Sequence, residues 1–203
     1  MQLKKLLKKN SVTVVDGNQA VIKVVGTPFD WLTRRLCRHE AQCLAKLTEL
    51  GFAGAPKLIG SNSNSMTMEK IDGTSLRRHP SLDQALFLRI LAVVRELHRL
   101  GFAHGNLRLD NIFISDSRGP VLIDFETCCP RSNPLFFLVQ FNDDVRLYLL
   151  WQSRVVQTDR DLARKSFPGY VTLAMFVITP LNRLAGILTS FKKKLRKSLR
   201  AST

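Results

Sequence analysis

The chain has 203 residues, of which 45% are hydrophobic, and a formal net charge of +15. This length and apolar share fit one compact two-lobed unit that buries a core, and they argue against two independent domains. The four cysteines, Cys37, Cys43 and the adjacent pair Cys128 and Cys129, lack zinc-ligand spacing. We therefore expect reduced thiols in a cytosolic protein and no zinc site.

The N-terminal segment is basic and amphipathic. Its charge comes from lysines and its apolar residues share one helix face: Lys4, Lys5, Lys8, Lys9 and Leu3, Leu6, Leu7. Such a pattern predicts a helix that lies on an anionic membrane surface, with a helix docked on the rest of the protein or a nucleic-acid-binding tail as alternatives. The apolar run is too short for the hydrophobic region of a signal peptide.

Two strands and a helix are predicted next. Residues 11–15 and 19–25 are rich in β-branched side chains and flank an Asp-Gly turn, which predicts an antiparallel pair. Apolar residues then recur at helical spacing from about residue 30 to residue 50, where Gly51 ends the predicted helix. Its only interior acid is Glu40. The Ser/Asn-rich residues 60–65 predict a hairpin turn between two further strands, and a long helix is predicted over residues 82–100.

The segment His104 to Asn111, followed by Asp124-Phe125-Glu126, is the most informative part of the chain. Between them lie two apolar, β-branched runs, 112–114 and 121–124, which flank turn residues and predict a β-hairpin. A hairpin brings its outer ends together, so Asn111 and Asp124 are predicted to lie side by side. A carboxylate and an amide oxygen that converge in this way suit a magnesium ion bound with phosphates.

This spacing resembles the catalytic loop and the metal loop of the protein-kinase-like superfamily, whose patterns are H-x-D-x-x-x-x-N and D-F-G. The resemblance implies an α+β, two-lobed fold with a small antiparallel N-lobe, about residues 1–69, and a mainly helical, shortened C-lobe, about residues 70–203. It also implies ATP and Mg²⁺ as cofactors. The residues implied for each role are His104, Asn106 and Asp110 in the catalytic loop, Lys23, Glu40, Met68 and Glu69 around the nucleotide, and Asn111 and Asp124 on the metal.

Two of these assignments have plain structural alternatives. Glu40 is the candidate partner of Lys23, although an exposed acid on a basic helix would have the same sequence. Residues 142–148 resemble the start of the large C-lobe helix, whose aspartate steadies the backbone of the catalytic loop. We assign that role to Asp144, with Asp143 as the alternative and a simple helix N-cap as a third possibility.

The chain departs from the superfamily pattern in ways that narrow the resemblance. No glycine-rich loop precedes Lys23, and Glu126 replaces the glycine of D-F-G. The distance along the chain from Asp124 to Asp144 is too short for a full activation segment. The resemblance is therefore to compact bacterial lipopolysaccharide-core and RIO-type kinases.

The catalytic aspartate of the superfamily is Asn106 in this chain. A general base contributes roughly 10²–10⁴-fold to a rate, and an amide can orient a hydroxyl but cannot accept its proton. Slow transfer remains compatible with Lys23, Asn111 and Asp124, and Asp110 is a candidate substitute base. The sequence thus predicts a slow ATP-dependent phosphotransferase, or alternatively a pseudokinase that binds nucleotide or holds a partner.

The C-terminal segment is the second basic, amphipathic stretch. Its cations and its apolar stripe are Lys192, Lys193, Lys194, Arg196, Lys197, Arg200 and Leu184, Ile187, Leu188, Phe191, Leu195. A helix at the inner face of the cytoplasmic membrane is the leading interpretation, with a helix docked on the C-lobe or a nucleic-acid-binding tail as alternatives. Nucleic acid is disfavoured because aromatic stacking residues are not interleaved with the cations.

The uncharged residues 166–182 are predicted to be buried, interfacial or membrane-inserted. The acceptor hydroxyl is not identified, an envelope sugar or a protein being the candidates.

Overall fold

Five strands form the N-terminal sheet: β1 (Lys4–Lys9), β2 (Val12–Asp16), β3 (Ala20–Val25), β4 (Leu58–Ser61) and β5 (Ser65–Glu69). Their order is β1-β2-β3-β5-β4, and all neighbouring strands are antiparallel. The computed structural model describes residues 4–9, 12–16, 20–25, 31–155, 166–171 and 173–174. The chain divides into two compact units, residues 1–157 and residues 158–203, and the sheet belongs to the first.

The prediction of an N-terminal helix is wrong. Lys4–Lys9 is an edge strand that pairs with β2, with an irregularity in register between Lys5 and Leu7. Leucine spacing over so few residues fits a helix face, but it does not show which groups form hydrogen bonds with the backbone of the segment. Pairing with β2 supplies those hydrogen bonds, and lysines on an edge strand oppose further strand addition.

Helix α1 (Trp31–Glu49) follows the sheet strand β3 and packs against β3, β4 and β5. Its buried face includes Leu44, Leu47 and Glu40, as the helical periodicity predicts for the apolar members. The helix ends at Gly51, which has φ +70°. The Phe52 N–H donates to Leu47 O at 2.9 Å and the Gly51 N–H to Thr48 O at 3.1 Å. This is a Schellman motif, and it requires the left-handed conformation that glycine adopts without strain.

The second half of this unit contains two helices and short antiparallel strand groups. Helix α2 (Gln84–Arg99) packs against α3 (Phe136–Arg154), and the strands are β6 (Thr74–Ser75), β7 (Phe102–Ala103), β8 (Ile112–Ser115), β9 (Gly119–Leu122) and β10 (Cys129–Pro130). β6, β8 and β9 form one sheet, and β7 pairs with β10. The hairpins predicted at residues 60–65 and 112–124 and the helix predicted over 82–100 are thereby confirmed.

Helix α3 begins earlier than the sequence analysis predicted. Residues 142–148 lie in its middle, because the helix starts at Phe136, directly after Pro134 and Leu135. The Leu135 N–H donates to Asn133 Oδ1 at 2.9 Å, which stabilises the turn that leads into the helix. An N-cap role for Asp143 or Asp144 is therefore excluded.

The second unit is described only in part. In residues 166–171 and 173–174, Phe167 and Val171 are buried, whereas Tyr170 and Leu173 are exposed. Within the described residues, no helix has both the length and the apolar character needed to cross a bilayer. The rest of 166–182 and the basic C-terminal helix predicted over 184–200 lie outside the described residues.

Candidate nucleotide and metal site

Asp143 anchors the backbone of the catalytic loop. Its carboxylate accepts from the His104 N–H at 2.7 Å and from the Gly105 N–H at 2.9 Å, and it lies 3.2 Å from His98 Nε2. The choice of Asp144 for this role is wrong, since Asp144 accepts instead from Arg95 Nη1 at 2.8 Å. Adjacent helix positions point about 100° apart, so only one of the two can face the loop.

His104 positions the loop from the inside. It is fully buried, its Nδ1 accepts from the Asn106 N–H at 3.2 Å, and its Nε2–H donates to Ile123 O at 3.0 Å. This arrangement requires the neutral ring with its proton on Nε2. Burial lowers the pKa of His104 below its ordinary value, which keeps the ring neutral. His104 therefore ties the catalytic loop to the residue before Asp124.

Gly105 cannot be replaced by a residue with a side chain in this loop. Its φ is +79°, and an added Cβ would lie 2.6 Å from Thr127 O. The close approach lets the catalytic loop pack against the segment that follows Asp124. The Thr127 hydroxyl donates to His104 O at 3.1 Å across the same contact.

Asn106, Asn111 and Asp124 converge on one small volume, as predicted for the metal pair. Asp124 Oδ2 lies 3.4 Å from Asn111 Nδ2 and 3.3 Å from Asn106 Nδ2. The side-chain amide of Asn111 also donates to Asn106 O at 2.9 Å. Asp124 has φ +68° and is the one non-glycine residue with positive φ in the described part of the chain. A strained backbone at this carboxylate is typical of a functional position.

These oxygen donors fit Mg²⁺. The ion prefers hard oxygen ligands and is usually held by one or two carboxylates together with substrate phosphates, instead of a cage made by protein alone. In the described residues, no group of three or more His, Cys, Asp or Glu side chains has the arrangement of a metal cage. Asp124 and Asn111 could hold Mg²⁺ together with a phosphate-bearing ligand.

Lys23 and Glu40 form the buried ion pair that the resemblance implied. Lys23 Nζ donates to Glu40 Oε2 at 2.6 Å, and Glu40 Oε1 accepts from the Phe125 N–H at 3.1 Å. Glu40 is only 1% exposed, so the exposed-acid alternative is excluded. One carboxylate thus joins strand β3, helix α1 and the metal loop.

Three carboxylates surround the Lys23 ammonium. Besides Glu40, Asp124 Oδ1 lies at 3.7 Å and Glu126 Oε2 at 3.8 Å. Burial lowers the pKa of Lys23, but these carboxylates outweigh it and raise that pKa above its ordinary value. Burial raises the pKa of the Glu40 carboxyl, and the Lys23 ammonium and the Phe125 N–H oppose that rise. Lys23 is therefore a permanent cation at the position where the resemblance puts nucleotide phosphates.

Glu126 is a site residue whose position the sequence analysis missed. It was noted only as the residue that replaces glycine in D-F-G, yet its side chain lies beside Lys23. Strand alternation could not have indicated this position, because β9 ends at Leu122, Asp124 has a positive φ and Glu126 lies in a turn.

In the described part of the chain, no hydrogen bond or ion pair joins the remaining implied residues to this cluster. Asp110 is half exposed and pairs with Arg77 Nε. Met68 and Glu69 are the last two residues of β5, where the chain leaves the N-terminal sheet. The Glu69 carboxylate accepts from the Lys57 N–H at 3.1 Å and lies 3.2 Å from Arg118 Nη2. The assignment of Met68 and Glu69 to the adenine ring stays a prediction.

Known proteins resemble parts of this chain. BUD32, a subunit of the EKC/KEOPS complex from Encephalitozoon cuniculi, is 39% identical over 84 residues, which are 40% of this chain and 42% of that protein. A probable bifunctional tRNA threonylcarbamoyladenosine biosynthesis protein from Thermoplasma acidophilum is 35% identical over 83 residues, 39% of this chain and 16% of that protein. The match thus spans less than half the length of either relative.

Solved structures and a family profile agree on the fold. The Rio2 kinase from Chaetomium thermophilum, solved as an ADP/Mg²⁺-phosphoaspartate complex, has a TM-score of 0.62 and 19% identity, covering 87% of this chain and 66% of that one. WbdD, solved with a kinase inhibitor, has a TM-score of 0.50 and 23% identity, covering 80% and 45%. These likenesses confirm the two-lobed kinase-like fold.

Residues 27–150, more than half of the chain, match the RIO domain. The chain therefore belongs to the RIO-domain family of atypical kinases.

Proposed function

We propose that this protein binds Mg-ATP and transfers its terminal phosphoryl group slowly to a hydroxyl acceptor. The observation that carries the proposal is the placement of Glu40, which binds both Lys23 Nζ and the Phe125 N–H. That bridge holds a cation for phosphates next to a carboxylate and an amide suited to Mg²⁺. When bound, the ion would neutralise charge on the phosphates.

The protein side chains would act mainly by position and charge. Lys23 would bind the phosphates, and Asp124 and Asn111 would hold Mg²⁺. Asn106 lies beside Asp124 and could orient the acceptor hydroxyl through its amide oxygen. It cannot accept the proton, so we propose a rate lower by roughly 10²–10⁴-fold than a carboxylate at that position would give.

A catalytically silent nucleotide-binding module is the second candidate. The observation that favours it is the 3.3 Å contact from Asn106 Nδ2 to Asp124 Oδ2, in which the amide donates to the metal-binding carboxylate. In that role the protein would present a folded, nucleotide-dependent surface to a partner. The name of the BUD32 relative, a subunit of a complex, is compatible with such a role.

We propose a location at the inner face of the cytoplasmic membrane and an acceptor on an envelope sugar, as in lipopolysaccharide-core kinases, or on a protein. This proposal rests on the basic, amphipathic sequence 184–200, which lies outside the described residues. The name of the Thermoplasma acidophilum relative concerns tRNA modification and that of BUD32 a protein complex, and neither name supports a membrane location. Cell fractionation would distinguish the settings, since a wholly soluble protein would contradict the membrane proposal.

Thermal melting with Mg-ATP tests the nucleotide site. At a ligand concentration about 100 times Kd, binding stabilises the folded state by about 2.7 kcal/mol, so Tm should rise. Lys23→Met and Asp124→Ala should abolish the rise. Lys46→Met is the matched control, because Lys46 is exposed on the same helix as Glu40 and pairs with Glu49. A rise that persists in Lys23→Met would refute the assignment.

The variant Asn106→Asp separates the enzyme from the silent module. If the rest of the site is competent, a restored carboxylate should increase ATP turnover by up to roughly 10²-fold or more. Turnover by both proteins is measured at saturating Mg-ATP, with Asp124→Ala as the background. Unchanged turnover in a variant that still binds nucleotide would favour the silent module.

A further inference from the structure

A cavity of about 260 Å³ lies between the catalytic loop and helix α3. Its apolar floor includes the buried side chains of Leu107, Leu147 and Leu150. Three arginines line it as well: Arg77, Arg108 and Arg146. The side chains of Asn106 and Asn111 face Asp124 instead, so the cavity and the proposed metal site use different residues of one loop.

The charges around this arginine cavity are unbalanced. No Asp or Glu belongs to the described residues that line it. The nearby Asp110 bonds to Arg77, and Arg108 also lies close enough to stabilise its carboxylate. Among the described residues, no hydrogen bond or ion pair engages Arg146. The lining thus carries three guanidinium groups, and the one carboxylate described near them is that of Asp110, which leaves an excess of about two positive charges.

We propose that the arginine cavity binds a small phosphomonoester. Such a group carries about −1.5 to −2 charges at pH 7, which matches the excess of positive charge. Guanidinium groups bind phosphate oxygens through planar, bidentate hydrogen bonds, and the apolar floor would contact the carbon skeleton of the ligand.

The dimensions favour a small molecule over a nucleic-acid strand. A volume of about 260 Å³ is below the roughly 300–1,000 Å³ of pockets for drug-sized ligands. The residues that line the cavity include no aromatic side chain on which a base could stack. A second cavity of about 140 Å³ shares Leu109 and Leu150 with the first and adds Arg154. The first cavity by itself has a volume suited to a small phosphorylated molecule.

Glycerol 3-phosphate is a suitable probe, and glycerol is its uncharged control. Titration by calorimetry uses the full-length Lys23→Met protein, so that phosphate binding at the proposed nucleotide site does not interfere. We expect saturable binding of glycerol 3-phosphate and no binding of glycerol. Arg108→Gln and Arg146→Gln should each weaken the affinity about tenfold, as expected when a charge-assisted contact worth about 1.4 kcal/mol is lost.

Arg35→Gln is the matched control, because Arg35 is exposed on α1 and does not line the cavity. It should bind glycerol 3-phosphate as the parent does, and circular dichroism checks that all variants are folded. Absence of binding, or equal affinity in the Arg108 and Arg146 variants and the parent, would refute the site. Binding of a phosphopeptide or of RNA, with none of glycerol 3-phosphate, would also overturn the small-molecule assignment.

Discussion

The buried imidazole of His104 should make the stability of the protein sensitive to mild acid. Its folded-state pKa is lowered from the ordinary 6.5 by burial, so the unfolded chain binds the proton more readily. The stabilising contribution is therefore complete above about pH 6.5 and is lost as pH falls below it. The slope attributable to this one proton is at most about 1.4 kcal/mol per pH unit.

Urea unfolding at several pH values between 7.5 and 5.5 measures this effect. The variant His104→Gln should be less stable than the parent at neutral pH, but its free energy of unfolding should fall less on acidification. The difference between the two curves isolates His104 from the carboxyl groups that titrate in both proteins. Parallel curves would show that His104 is not the group responsible.

Asp143 should contribute more to stability than an ordinary surface aspartate. In Asp143→Asn, an NH₂ group would replace one oxygen that accepts from the backbone of His104 or Gly105, leaving a buried donor without a partner. We expect a loss of about 1–3 kcal/mol in the free energy of unfolding. Asp116→Asn, at an exposed position of the β8–β9 turn, should change it by less than about 0.5 kcal/mol. Equal effects in urea unfolding would contradict the anchor.

At the residue scale, the sequence predicted side chains whose spacing is fixed by local geometry. Asn111 and Asp124 could be paired because they flank a hairpin, and β-hairpin pairing is a local property. The choice between Asp143 and Asp144 could not be made in the same way. It depends on the rotation of α3 relative to the catalytic loop. The sequence alone does not show which of two adjacent acidic residues in a helix faces inward.

At the element scale, helix α2 owes its start to one polar side chain. Asp83 is the N-cap, and its Oδ1 accepts from the Leu86 N–H at 2.7 Å. Asp83→Ala should reduce the free energy of unfolding by about 1 kcal/mol, whereas Asp83→Ser should retain most of it because serine also caps helices. Thermal and urea unfolding of both variants measure the difference. A stable alanine variant would mean that packing of the apolar face alone determines where α2 begins.

Helices with a terminal signal and strands joined by a recognisable turn were predictable, whereas the edge strand β1 and the start of α3 were not. Helices α1 and α2 each have several apolar turns and a terminal signal, Gly51 for α1 and Asp83 for α2. In contrast, β1 is only six residues long and its leucines fit either a helix or a strand. Its conformation depends on the free edge of β2, which is a tertiary property that the segment itself does not encode.

At the scale of the whole molecule, the positive charge is concentrated near the two ends of the sequence. Four lysines belong to the segment Lys4–Lys9, and six Lys and Arg residues lie between positions 192 and 200. The first group belongs to an edge strand, so the proposed membrane binding would depend on the second group alone. Each cation near an anionic surface contributes about 1 kcal/mol, and salt weakens the attraction.

Two triple variants with the same change in net charge separate a membrane helix from a general charge effect. The first variant replaces Lys192, Lys193 and Lys194 by Gln. It should sediment with anionic vesicles much less than the parent, because these cations adjoin the apolar stripe that would enter the interface. The second variant replaces Lys4, Lys5 and Lys8 by Gln. Its vesicle sedimentation should decrease much less, since strand pairing with β2 prevents an amphipathic helix in this segment. If both variants lose binding equally, net charge alone explains the attraction. In that case no interfacial helix needs to form, and the proposed membrane location loses its basis.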